Sequence, residues 1–179
     1  MASFMEPIQI FSTLAAAANF GGSILQSPLI MPMLMLPQIP VQYAGTQTAY
    51  LLQNSEYFFP PLNGVCTLSN LVLMGTAYLY SSDSAVAAAK FPRLATAFVL
   101  NLATTAWALG IMVPMNKRMG VLAGQMEKKV KEDGQGAVVK TEESELRRLQ
   151  ARWRKLNYGR ATIMIGSAIA GMSALLVRA

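Results

Sequence analysis

Histidine is absent from all 179 residues, and there is a single cysteine, Cys66. Haem held by histidine, a two-histidine iron centre and a Ser/His/Asp triad therefore cannot be assembled within one such chain. No intrachain disulfide can form, and Cys66, inside an apolar run, reads as a small buried hydrophobe. A phosphate-cradling glycine loop is missing too, because Gly134-Gln135-Gly136 lacks the strand-then-helix context that such a loop needs.

Charge is equally scarce. Charged residues make up 13% of the chain against 53% hydrophobic, with a mean hydropathy of +0.36, a balance that favours lipid over water as solvent. Residues 7–55, 57–82, 94–116 and 161–177 carry no charge at all, whereas a soluble fold would scatter it. Crossing the hydrocarbon core takes roughly 20 apolar helical residues. Four stretches approach or exceed that length, at 8–36, 61–80, 94–113 and 161–177. The expected fold is all-α: a four-transmembrane-helix bundle forming a single membrane domain over 1–179. The fourth stretch is short, but Arg160 and Arg178 at its ends can snorkel to the two interfaces. The first lacks a basic leader and runs past the length of a signal sequence, so it is expected to stay as an anchor.

The net charge of +6 gathers between the third and fourth stretches, from Lys117 and Arg118 to Arg154 and Lys155. In a soluble chain this would suggest nucleic acid. Beside apolar spans it follows the enrichment of Lys and Arg in cytosolic loops. No nucleic-acid partner is expected. The basic loop 115–158 is expected to be cytosolic, with both termini on the opposite side of an endoplasmic reticulum or other endomembrane bilayer. The lipid bilayer is the one partner composition implies, and no feature fixes an oligomeric state.

Between the spans, Pro37, Pro40, Pro60 and Pro61 bracket a connector rich in Tyr and Phe. It reads either as a re-entrant or lid-like layer at the interface or as a surface loop. Pro28 and Pro32 predict a kinked first helix. Ser81-Ser82-Asp83-Ser84 predicts a turn and a helix start, which makes the second and third spans antiparallel neighbours. Asp133-Gly134-Gln135-Gly136 predicts a loop tip. After it, Thr141-Glu142-Glu143 opens an amphipathic juxtamembrane helix marked by Leu146, Leu149, Trp153 and Leu156.

Each span carries one polar stripe at helical spacing: Asn19, Ser23 and Gln26; Asn63, Thr67 and Asn70; Asn101 and Thr105; Arg160, Met164, Ser167 and Gly171. Amides and hydroxyls facing lipid are costly, so the stripes should turn inward, mostly as interhelical glue and in a minority of positions as ligand lining. At the cytosolic mouth, Lys117 and Arg118 follow the third span and Arg160 opens the fourth. Anchoring accounts for the first two better than for Arg160, which lies one turn further in beside Asn157 and Tyr158.

Pro114-Met115-Asn116-Lys117-Arg118, ending the third span, and Trp153-Arg154-Lys155-Leu156-Asn157-Tyr158-Gly159-Arg160, opening the fourth, resemble the P-x-N and W-x3-N/H-x2-R pattern of the small four-helix membrane family DUF1772. Its fungal members are the anthrone oxygenases. The resemblance implies a monooxygenase of secondary metabolism that oxidises an aromatic polyketide, an anthrone, to an anthraquinone with O2. It implies no bound cofactor and no metal. In that reading Arg160 stabilises the substrate anion, Asn116 and Asn157 donate hydrogen bonds, and Trp153 is a stacking wall. Asn63, Asn70 and Asn101 line the substrate site with Tyr158. The base is Lys117, if desolvation lowers its pKa, or Tyr158, or water. Each residue also has a structural reading, as a cap, a helix bridge or part of an interfacial aromatic belt. Two other classes stay open: a non-catalytic scaffold or transport-related bundle, and a same-fold enzyme for another polyketide oxidation or cyclisation.

Overall fold

The computed structural model describes residues 5–133 and 140–177. Among these residues the regular structure is entirely helical and contains no strand. The order is α1 (Met5–Leu25), a π-helical turn (Gln26–Ile30), α2 (Met31–Leu34), α3 (Val41–Leu79), α4 (Ala85–Trp107), a second π-helical turn (Ala108–Met112), α5 (Val113–Asp133) and α6 (Lys140–Leu175). The expected loop tip at Gly134-Gln135-Gly136 and the snorkelling Arg178 lie outside the described residues.

Prolines shape the first and third of the long helical runs without breaking them. A proline ring clashes with the carbonyl four residues earlier. For Pro32 and Pro114 those carbonyls belong to Pro28 and Gly110, and both fall inside the widened π turns. At the position of the expected kink the first helix passes through a π turn that continues into α2. The connector 37–60 also differs from expectation: from Val41 onward it is the first half of the 39-residue α3, and Pro60 and Pro61 sit within that helix. It is not a loose loop. The basic loop 115–158 is likewise helical, divided between α5 and α6.

Three runs are long and apolar enough to cross a membrane, Met5–Leu34, Val41–Leu79 and Ala85–Glu132. The expected fourth span does not join them. From Ala161 to the end of α6 at Leu175 the helix rises only about 22 Å at 1.5 Å per residue, short of the roughly 30 Å hydrocarbon core. The stretch is strongly apolar, but an 18-residue window inside α6 has to take in Arg160.

Contacts gather the chain into two compact units. The first comprises Met1–Gly22, Phe59–Ala106 and Arg160–Ala179. Here the polar stripes turn inward as expected. Asn63 donates to the Asn101 carbonyl (3.1 Å) and to Thr105 Oγ1 (2.8 Å), and Ser167 donates to Asn101 Oδ1 (3.1 Å). Tyr78 and Phe91 pair their rings 5.5 Å apart. The 63–101 and 78–91 contacts run in opposite chain directions, which makes α3 and α4 antiparallel neighbours. The turn between them closes as expected, with Ser84 Oγ accepting from the Ala87 N–H at the start of α4. Cys66 is fully buried, its thiol directed at the Ser12 carbonyl. At Gly171 a Cβ would stand 2.8 Å from Thr13 Oγ1, so glycine lets α1 and α6 approach closely.

The second unit comprises Ser23–Phe58 and Trp107–Gly159. Its core joins Met31, Leu52, Met112, Met119, Met126, Leu146 and Trp153. Unbranched methionine fills the irregular spaces that widened helical turns leave. Leu146 and Trp153 are buried and Leu149 and Leu156 pack against them, as the spacing along α6 predicts. Arg118 and Glu145 (2.8 Å) and Lys129 and Glu142 (2.6 Å) bind α5 to α6. The Arg118 guanidinium, hydrogen-bonded to Glu145, holds that carboxyl below its ordinary range.

Candidate functional site

The sequence-predicted residues fall in both units. In the second, Asn116 of α5 sits at the centre of a polar relay. The buried Trp153 indole, 2% exposed, donates from Nε1 to Asn116 Oδ1 at 3.0 Å, and Asn116 Nδ2 donates to Glu56 Oε1 at 2.9 Å. An indole N–H can only donate, so it fixes which way the amide faces and aims the NH2 at the carboxylate. Three helices thereby meet: α6 supplies the buried donor, α5 the two-faced amide and α3 the charged terminus.

Glu56 was not among the residues singled out in the sequence. The signal was there, since it is the one charged residue between Glu6 and Asp83. Nothing in periodicity tied it to Asn116, 60 positions away. Pro60 and Pro61 follow one turn later and lack the N–H groups that would bond to the Glu56 and Tyr57 carbonyls.

Glu56 and Asn116 line an open cleft of about 180 Å³ with Ala49, Leu52, Gln53, Lys117 and Gly120. Its lining combines apolar Ala49 and Leu52 with a carboxylate, two amides and an ammonium. Lys117 is exposed on the rim, so the desolvation on which its part as a base depended is absent.

Other expectations are corrected here. Trp153 is core, not a stacking wall or an interfacial aromatic, and its contribution to the cleft passes through Asn116. Asn157 is fully buried and donates to the Ser23 carbonyl (2.7 Å) and to Ser27 Oγ (2.9 Å). It ties α6 to the end of α1, a bridge rather than a donor at the cleft. Tyr158 is partly exposed on α6. Gly159 follows from packing: a Cβ there would meet Trp107 Cζ2 at 3.0 Å.

In the first unit, the Arg160 guanidinium lies over the Phe59 ring, 5.8 Å from its centroid, a cation–π contact. Asn63 and Asn101 make the interhelical bonds already described, Asn101 Nδ2 is buried without a partner among the described residues, and Asn70 is buried. Asn63 and Asn101 thus join α3 to α4.

Among curated proteins and solved structures nothing matches the chain. A family model described as anthrone oxygenase matches residues 50–170, a stretch that contains Glu56, Asn116, Lys117 and Trp153. The match covers more than half the chain, so this all-helical protein belongs to the anthrone oxygenase family.

Proposed function

We propose that the chain oxidises a polyketide anthrone to an anthraquinone with O2 at the cleft of Glu56, Asn116 and Lys117, without a bound metal or organic cofactor. The observation that carries this reading is the Trp153–Asn116–Glu56 relay, which aims a carboxylate into a cleft that also holds an ammonium. The central methylene of an anthrone is a comparatively strong carbon acid, because its anion is an aromatic phenolate. Glu56 takes a proton from that carbon, and the Lys117 ammonium pairs with the oxyanion that forms. The electron-rich anion gives one electron to O2, and the two radicals combine as a peroxide at the same carbon. Loss of water then leaves the ketone. One oxygen atom ends in the quinone, and the other leaves as water with the two hydrogens the carbon has lost.

The cleft is smaller than the roughly 300 Å³ at which enclosed ligand sites begin. Being open, it takes one edge of a flat tricycle while the rest lies along the apolar helix surface. The same reading sets the basic α5–α6 pair on the cytosolic face of an endomembrane, where a lipid-soluble polyketide would arrive through the bilayer.

The test adds a synthetic anthrone to membranes containing the protein, with and without O2, and follows quinone formation above the spontaneous rate. Removing a general base typically costs 10²- to 10⁴-fold, so Glu56→Gln should lose at least about 100-fold. Product no faster than in empty membranes would refute the oxygenase reading. Full activity in Glu56→Gln, with activity lost in Arg160→Met, would move the chemistry to Arg160. A stoichiometric transition metal in the active protein would contradict the cofactor-free mechanism.

A further inference from the structure

The second π turn does more than accommodate Pro114. It opens a separate cleft of about 310 Å³, lined by Gly110, Ile111, Pro114 and Met115 and closed on its other side by Leu149 and Arg152 of α6. The lining is apolar except for one guanidinium. A Cβ on Gly110 would meet nothing within 4 Å, so a side chain at this lining position has open space. Leu109, the next residue along the turn, is 64% exposed.

Lys117, Lys140, Arg152, Arg154 and Lys155 of α5 and α6 form no ion pair among the described residues, and of these Arg152 lines this cleft. Arg118 and Lys129 are paired with Glu145 and Glu142, and Lys128 and Lys131 with glutamates on their own helix. Arg148, Arg152 and Lys155 stand at i, i+4 and i+7 on α6, and all three are exposed. Of these, Arg148 lies near Glu145. Arg152 and Lys155 form no ion pair with any described carboxylate. A basic stripe beside an apolar slot complements a ligand that joins an anion to a hydrocarbon chain. In a chain with three helices able to cross a membrane, such a ligand is at hand in the bilayer itself.

We propose that this cleft binds an anionic phospholipid, with the phosphate on Arg152 and Lys155 and the first methylenes of one acyl chain between Ile111, Pro114, Met115 and Leu149. Such a lipid would pin the π turn and the start of α5 to α6 at the membrane surface. Attraction of a basic side chain to an anionic lipid surface amounts to about fivefold in affinity per cation, and it is screened by salt.

The test uses the full-length protein in neutral-detergent micelles, titrated with dioctanoyl phosphatidylglycerol and read by native mass spectrometry. Dioctanoyl phosphatidylcholine, inorganic phosphate and a short polyglutamate peptide serve as comparisons. One equivalent of phosphatidylglycerol should bind, at least tenfold more tightly than phosphatidylcholine. Arg152→Gln should weaken it about fivefold, whereas Lys131→Gln, which removes a cation already paired within α5, should leave it unchanged. Gly110→Leu places a side chain in the open cleft with no helix penalty and should weaken binding at least as much as Arg152→Gln. Equal binding of the two lipids would overturn the proposal, as would displacement of the lipid by phosphate or polyglutamate at equal concentration. Wild-type binding by Gly110→Leu would do so even if Arg152→Gln weakened it, because the cations would then act as a surface field without a site.

Discussion

Replacing Asn116 by alanine separates the two bonds of the relay, because its partners respond to the loss differently. Trp153 is 2% exposed, so its N–H, 3.0 Å from Asn116 Oδ1, has no water to turn to. Stranding a buried donor costs about 1–3 kcal/mol. Glu56 is exposed and exchanges the Asn116 amide for water at little cost. Asn116→Ala should therefore destabilise the protein by about 1–3 kcal/mol, nearly all of it through Trp153. Trp153→Phe removes the donor and shrinks a buried ring, which adds a packing loss. In the double variant the stranded donor no longer exists, and the two effects should fall short of additivity by about 1–2 kcal/mol. The assay is unfolding in mixed micelles with rising SDS, followed by helix circular dichroism, for all four proteins of the cycle. Additivity within about 0.3–0.5 kcal/mol would mean that the 3.0 Å bond carries no coupling, and the relay argument fails. Asn116→Asp completes the experiment. It keeps an acceptor for the indole but sets a like charge against Glu56, so stability should stay near wild type while anthrone turnover falls.

Two further outcomes follow from packing and charge. Gly171→Ala forces a Cβ to 2.8 Å from Thr13 Oγ1, and such overpacking costs about 1–3 kcal/mol; adding Thr13→Ala should restore most of the lost thermal midpoint. Failure of that rescue would show that the glycine answers to something other than the α1–α6 approach. The Glu145 carboxyl is held below its ordinary value of 4.5 by Arg118. A depressed folded-state pKa gives stability that is fully present above the ordinary value and is lost as pH falls through the lower, folded one. Wild type and Glu145→Gln should differ in thermal midpoint at neutral pH and converge once pH has fallen below the lowered folded-state value. High salt should narrow the difference, and a gap that widens on acidification would refute the assignment.

Much of the fold was legible because lipid leaves the backbone few options. Charge-free stretches must bond their own N–H and C=O groups, and helices do that. Asn63, Asn101 and Ser167 could be assigned to a buried face by spacing alone, since an amide in hydrocarbon needs a partner whichever helix supplies it. The α6 core positions followed from the same periodicity. The prolines misled. Pro37, Pro40, Pro60 and Pro61 read as boundaries of a connector because a lone sequence shows the donor a proline removes. It does not show the neighbouring helices that let a helix persist through it. The fourth span falls short for a different reason: 161–177 is strongly apolar, but α6 ends at Leu175, which leaves too few residues beyond Arg160 to cross the hydrocarbon core.

The sequence by itself determined the solvent, the helical class, the inward polar stripes and, through the Asn116 and Trp153 motifs, the family. These depend on composition and on spacing within one helix, which a linear chain states outright. Only the tertiary structure decided what those residues do. It made Trp153 a buried donor and turned Asn157 into a bridge to Ser23 and Ser27. It also brought Glu56 onto Asn116 from 60 residues away. Such pairings are set by the register between helices, which depends on how whole side-chain surfaces interlock and on where each π turn shifts the helix face. No local pattern encodes that register, so the carboxylate on which the proposed chemistry depends was visible in the sequence only as an isolated charge.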